Sequence, residues 1–236
     1  MSEHQNAESR RKVHKMDLVD LTKYQALVFD FDMTLADTAR VIVDLLDKTA
    51  QHFGYAAVSY EEARLAVGNT HKNMLKMVTG EQQDEKLLIM QEHYRRLCRE
   101  EMAGRTELFP GVLSGIRGLY LQGKKLGVLS QKLKDVLVAS LAHCGLLEYF
   151  TCVLGVEDVA RAKPAPDGLL TAAERLGVCP TDILYIGDSL VDEGTAEAAG
   201  VDFAPMLLGG TRREEFQKKH VGMFSSWEEL NRCVLL

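Results

Sequence analysis

Three stretches of consecutive apolar residues each run straight into a polar group. Ala26-Leu27-Val28-Phe29 meets Asp30-Phe31-Asp32, Leu126-Gly127-Val128-Leu129 meets Ser130, and Ile183-Leu184-Tyr185-Ile186 meets Gly187-Asp188. A strand with no polar alternation cannot show one face to water, so each run is predicted to lie inside a parallel sheet covered on both sides. Helical patterns fall between and after them: Val112 to Leu121 behind Pro110-Gly111, Leu133 to Cys144, Gly168 to Leu176, and Thr195 to Ala199. Thr151 to Leu154 and Val201 to Ala204 are expected to add further strands. Strand alternating with helix predicts an α/β, doubly wound parallel sheet. Right-handed crossovers then gather the carboxyl ends of the strands along one edge, where ligands bind.

From about Asp37 to Phe109 the alternation stops. Val41, Leu45, Leu46, Thr49 and Phe53 recur at helical spacing, Ser59 to Glu62 fits a capping box, and Leu87 to Met102 reads as one long helix. The expected organisation is a core made of residues 24–36 and 110–236, with an all-helical domain, residues 37–109, inserted after the first strand. Residues 1–23 are polar, carry Arg10-Arg11-Lys12, and are expected to form a frayed tail without a secretory signal. No apolar run approaches the ~18 residues of a membrane span.

A net charge of −6 disfavours nucleic acid as a partner. The five cysteines, Cys98, Cys144, Cys152, Cys179 and Cys233, show no paired or metal-type spacing, and read as buried small hydrophobes of a cytoplasmic protein.

The chemistry lies where polar groups sit at strand ends. Asp30, Asp32, Ser130 and Asp188 end strands, Lys163 lies in the loop Arg161 to Pro166, and Asp192 follows Asp188 by one helical turn. Two unit charges ~4 Å apart repel by about 4 kcal/mol near a protein surface, so gathered carboxylates need a cation. Oxygen ligands without His or Cys point to Mg2+. Asp30 is then available as a nucleophile towards phosphorus, and Asp32 as the acid and base for the leaving oxygen and the incoming water. Ser130 offers hydrogen bonds to phosphoryl oxygens, and Lys163 supplies fixed positive charge. Asp192 is expected behind these groups, orienting Lys163 or a metal-bound water.

These segments together resemble the haloacid-dehalogenase-like (HAD) superfamily. Asp30-Phe31-Asp32-Met33-Thr34-Leu35 is similar to its DxDxT signature, with Thr34 the expected supporting residue. Leu126 to Ser130 is similar to the second motif, Lys163-Pro164-Ala165-Pro166-Asp167 to the third, and Gly187-Asp188-Ser189-Leu190-Val191-Asp192 to the fourth, in that order. The insertion resembles the helical cap of the phosphoglycolate phosphatase and β-phosphoglucomutase-like branch. The resemblance implies that Asp30 is the nucleophile and Asp32 the acid/base. It also implies a metal held by Asp30, the backbone carbonyl of Asp32, and Asp188. Met33 stands where this branch most often has Gly, and Ser130-Gln131-Lys132 departs mildly from Thr/Ser-Asn-Lys.

The expected function is hydrolysis of a small phosphorylated metabolite through an aspartyl phosphate, by a monomer or homodimer. A phosphosugar mutase, a phosphonate hydrolase with a Schiff-base lysine, a phosphoacceptor signalling domain and a binding protein without turnover remain as rivals. Gln131, Asn69 and His71 are the candidates for touching substrate. A plain connecting loop is the alternative for Gly68 to Lys72, with His71 solvated. Met74, Met77 and Met90 suit packing inside the helical insertion, and Trp227 suits packing of the last helix on the sheet.

Overall fold

The computed structural model describes residues 19–234. Among the described residues there are seven strands: β1 (Ala26–Phe29), β2 (Ala36–Asp37), β3 (Glu107–Leu108), β4 (Lys125–Leu129), β5 (Cys152–Leu154), β6 (Ile183–Gly187) and β7 (Asp202–Pro205). Five form one parallel sheet in the order β5-β4-β1-β6-β7. The expected doubly wound α/β fold is observed. β1 lies at the centre, with Phe29 level with Val128 on one side and Ile186 on the other.

The two faces of each strand divide between two cores, which is why the runs carry no polar alternation. Leu27, Phe29, Leu126, Val128, Leu184 and Ile186 face one helical layer, which comprises α5 (Val112–Leu121), α6 (Lys134–His143) and α9 (Trp227–Val234). Ala26, Val28, Leu129, Ile183 and Tyr185 face the other, comprising α7 (Asp167–Leu176) and α8 (Leu190–Ala199). Trp227 is fully buried and stacks on Phe29, with ring centroids 5.6 Å apart, so it packs the last helix on the sheet as expected.

Between β2 and β3 the chain is helical: α1 (Ala39–His52), the short α2 (Tyr60–Ala63), α3 (His71–Thr79) and α4 (Asp84–Leu97), followed by a wider π-type turn over Cys98–Met102. The expected single helix from Leu87 to Met102 therefore changes winding at Cys98. These helices have their own apolar core, built on Leu45, Leu46, Leu75, Met90 and Tyr94, to which Leu133 and Val136 of the sheet domain contribute. β2 and β3 pair antiparallel, Ala36 with Leu108 and Asp37 with Glu107, at the entry and exit of the helical segment.

Several details differ from expectation. Residues 1–18 lie outside the described residues, but Val19 and Leu21, assigned to the tail, are buried in the main core. Apolar side chains so close to β1 find the same core that β1 fills. Met74 and Met90 are buried, whereas Met77 is 54% exposed on the outer side of α3. Cys98, Cys152 and Cys233 are buried and Cys179 is exposed. In the capping box, Glu62 N–H donates to the Ser59 hydroxyl, and that hydroxyl, not the Ser59 N–H, donates to the Glu62 carboxylate. No helix among the described residues is long and apolar enough to cross a membrane.

Candidate active site

β1 stops at Phe29 because Asp30 turns out of the sheet while its N–H still donates to the Ile186 carbonyl, 2.9 Å away. The following turn closes on the Phe31 carbonyl, which accepts from the N–H groups of Thr34, Leu35 and Ala36. Trp227 Nε1 donates to the Thr34 carbonyl at 2.7 Å, so the C-terminal helix pins this turn from behind. Met33 in the same turn has φ +59°, the left-handed region where a side chain is disfavoured and glycine is favoured.

Lys163 and the acids, spread over more than a hundred residues of chain, meet at the carboxyl edge of β1 and β6. Lys163 Nζ donates to Asp30 Oδ1 at 2.8 Å and to Asp192 Oδ1 at 2.6 Å. Tyr185 OH donates to Asp192 Oδ1 at 2.7 Å, and Ser189 Oγ and N–H donate to Asp192 Oδ2. Thr34 Oγ1 donates to Asp188 Oδ1 at 3.3 Å. Carboxylate oxygens of Asp30, Asp188 and Asp192 lie within 4.8 Å of one another, and all three residues are buried.

Glycine makes two of these approaches possible. A Cβ on Gly187 would stand 2.5 Å from Asp192 Cγ, and one on Gly209 would stand 1.8 Å from Asp188 Oδ2.

Burial raises Asp30 to about 7, with Lys163 pulling against it and Asp192 and Asp32 adding to it. Burial, then Asp192 and Asp30, push Asp188 well above the carboxylate range. Burial opposes ionised Asp192 too, but Lys163 and its hydrogen bonds hold it below the ordinary value. Burial would depress the Lys163 ammonium, and Asp192 and Asp30 outweigh it, so the lysine stays charged. One ammonium thus serves two carboxylates and leaves Asp188 uncompensated. An all-oxygen donor set that carries three negative charges when ionised, against the one positive charge of Lys163, suits a hard divalent cation, and the residues present fit one.

Asp32 points elsewhere. Its Oδ1 accepts from Lys132 Nζ and from Thr38 Oγ1, each at 2.6 Å, and its side chain is outside the three-acid cluster. Ser130 is buried at the end of β4, where its Oγ accepts from the Lys132 N–H. Gln131 Nε2 donates to the Lys163 carbonyl, and Asn69 Nδ2 donates to the Ala66 carbonyl. Asp32, Gln131, Lys132, Asn69 and His71 line one narrow cavity between the helical segment and the sheet edge. His71 is buried there, against the expectation of a solvated imidazole; its ring packs edge-on against Tyr94 at 5.0 Å.

Sequence reading left out Lys132, Thr38 and Tyr185. Lys132 follows Ser130 at the same strand end, but a lysine there reads as solvated without the distant groups that bury it. Tyr185 was hidden inside an apolar run, where only its hydroxyl carries a polar signal.

A family model described as haloacid dehalogenase-like hydrolase matches residues 27–206. The phosphoglycolate phosphatase of Cereibacter sphaeroides is 31% identical over 208 residues, covering 86% of this chain and 94% of the relative. Among solved structures, a Bacteroides fragilis protein described as a haloacid dehalogenase-like hydrolase superposes with a TM-score of 0.84 at 35% identity, covering 88% of this chain and 99% of that one. CbbY from Rhodobacter sphaeroides, solved with phosphate, superposes with a TM-score of 0.74 at 25% identity, covering 90% and 100% of the two chains. With the family model spanning the parallel sheet from Leu27 onward and all the acids that meet at its edge, the chain belongs to the haloacid dehalogenase-like hydrolases.

Proposed function

We propose that this protein is a Mg2+-dependent phosphomonoesterase that acts on a small phosphorylated metabolite through an aspartyl phosphate on Asp30. One observation carries the reading: a single buried ammonium, Lys163, bridges Asp30 and Asp192 while Asp188 adjoins them unneutralised. Such an arrangement holds a nucleophile beside fixed positive charge, and Asp30, Asp188 and the Asp32 carbonyl would hold a cation there. Bound there, Mg2+ supplies neutralisation between the carboxylates and the phosphate that approaches them.

Asp30 is oriented by Lys163 for attack on phosphorus, which splits the displacement into two easier steps. Asp32, on the next turn of chain, donates the proton to the leaving oxygen and later takes one from the attacking water. Ser130 and neighbouring N–H groups bind phosphoryl oxygens, and Lys163 balances their charge. Asp192 and Tyr185 fix the position of the Lys163 ammonium. Residues 37–109 act as a cap whose underside, at Asn69 and His71, meets the leaving group and excludes water. The relatives called phosphoglycolate phosphatase support the phosphoester class.

Phosphate release from a panel of small phosphomonoesters, with and without Mg2+, tests this for wild type and Asp30→Asn. Turnover is expected only from wild type with metal. Substantial turnover by Asp30→Asn removes the assigned nucleophile.

A further inference from the structure

Trp227 opens α9, is fully buried, and touches the segment of Asp30 at both ends. Its ring stacks on Phe29, the residue before Asp30, with centroids 5.6 Å apart. Its Nε1 donates at 2.7 Å to the carbonyl of Thr34, which closes the turn that Asp30 begins. No backbone N–H of that turn donates to the Thr34 carbonyl, so its donor comes from 193 residues away along the chain.

The surrounding sequence makes this close approach possible. α5 has glycine at its buried position 115, although glycine inside a helix weakens it. A Cβ there would stand 2.9 Å from Trp227 Cε3 and Cζ3, and 2.1 Å from Asn231 Oδ1. Asn231, one turn along α9 from Trp227, donates from Nδ2 to the Gly111 carbonyl at 2.9 Å and fixes α9 against the start of α5. The indole is thus seated against α5 and Phe29 with its N–H aimed at Thr34.

The turn needs support from outside. Met33 within it has φ +59°, and a disfavoured backbone conformation persists only where its surroundings over-determine it. Thr34 is fully buried, and its Oγ1 donates to Asp188 Oδ1 at 3.3 Å. One residue therefore takes the indole bond on its carbonyl and reaches a carboxylate of the acid cluster with its side chain. Packing on Phe29 would be served by a phenyl ring as well, and gives no reason for a donor at Thr34.

We propose that Trp227 is a positioning residue for the reaction centre: its indole N–H fixes the Thr34 carbonyl, and through Thr34 it sets Asp188 and the turn from Asp30 to Asp32 for a divalent cation. Without that bond a buried carbonyl loses its donor, and the turn must shift to recover one. The effect on turnover rests on the phosphatase reading above, and the effect on cation affinity is measured apart from it.

The test uses the full-length protein in four forms. Trp227 is the chain's only tryptophan, so expression with 3-benzothienylalanine in place of tryptophan changes this residue alone and puts sulfur where the N–H was, with the ring shape kept. Trp227→Phe removes the N–H and part of the ring. Leu230→Val trims a fully buried apolar side chain of the same helix, as a control for packing. Mg2+ affinity is measured by calorimetry, Tm without metal, and kcat and KM with acetyl phosphate. The benzothienyl protein and Trp227→Phe are each expected to lose about tenfold in Mg2+ affinity and about tenfold in kcat, as when a supporting contact at a metal site is removed. KM should change little, because the loss falls on the reacting groups and not on substrate binding. Leu230→Val should lower Tm and keep the wild-type affinity and kcat. Wild-type Mg2+ affinity in the benzothienyl protein overturns the proposal, as does a loss in Leu230→Val as large as that in Trp227→Phe. Absence of acetyl phosphate turnover by wild type with Mg2+ is failure of the phosphatase reading, and the Mg2+ affinities then decide the role of Trp227 by the same criteria.

Discussion

Lys132 Nζ sits 2.6 Å from Asp32 Oδ1, with both side chains mostly shielded from water. Thr38 donates to the same oxygen, so the second aspartate of the signature is held by one residue from β4's end and one from the entrance of the helical segment. Replacing Lys132 with Met is expected to lower kcat by about 100-fold, since misplacing an acid/base group by about 1 Å costs that much. The fold should survive, because the Met stem can occupy the space beside Phe31. Steady-state kinetics together with circular dichroism check this; an unchanged kcat shows that the ammonium does not position Asp32.

Mg2+ is expected to stabilise the protein more as pH rises. Burial and neighbouring carboxylates raise Asp30 to about 7 and Asp188 well above the carboxylate range, with Lys163 opposing. Without metal, the folded state therefore holds more protons than the unfolded chain above about pH 4, so stability from these groups is full at lower pH and falls as pH climbs towards 7. A cation that binds the ionised form reverses this loss. The Tm gain from Mg2+ should be small at about pH 5 and several degrees larger at about pH 8. A gain that shrinks with pH contradicts the charge assignment.

Met33→Gly is expected to be neutral to stabilising, by about 1 kcal/mol in urea unfolding. A left-handed non-glycine residue costs roughly 1–2 kcal/mol, and glycine's greater freedom in the unfolded chain takes back part of the gain. Met33 also lines the wider cleft of about 320 Å3 that reaches Asp188, and the Gly variant should broaden the range of esters accepted. Clear destabilisation would mean that the Met33 side chain contributes more by packing than its backbone loses.

Gly209→Ala places a methyl group on the Asp188 carboxylate. The Asp188 side chain must move, so Mg2+ affinity measured by calorimetry should fall at least about tenfold, comparable to the loss of a supporting contact at a metal site. The metal-free Tm should change little, since Gly209 is in a partly exposed loop. Unaltered affinity argues that Asp188 does not hold the ion.

The sheet was readable because its strands are buried on both faces, which removes every polar interruption from Ala26 to Phe29 and from Ile183 to Ile186. Strand ends in turn predicted where Asp30 and Asp188 would meet, and these positions follow from topology rather than from local preference. Lys132 was not readable as a partner of Asp32, since a lysine is solvated unless something distant buries it. His71 went the same way: its burial comes from Tyr94 and the facing sheet edge, and nothing at positions 68–72 signals either. The pairing of Ala36 with Leu108 and of Asp37 with Glu107 involves too few residues for any periodicity to register.

That short ladder has a consequence for how the molecule can be rebuilt. The chain leaves the sheet layer at Ala36 and returns at Leu108 through neighbouring positions, so the helices between are hung on a single narrow doorway. Whatever is threaded through such a doorway can be exchanged for another module of different length without altering the parallel strands behind it. On the proposed function, the reaction centre and the segment that meets the leaving group are joined covalently at this one seam, and a chimaera made there that also matches the faces of Leu133 and Val136 should keep the first while acquiring a new version of the second.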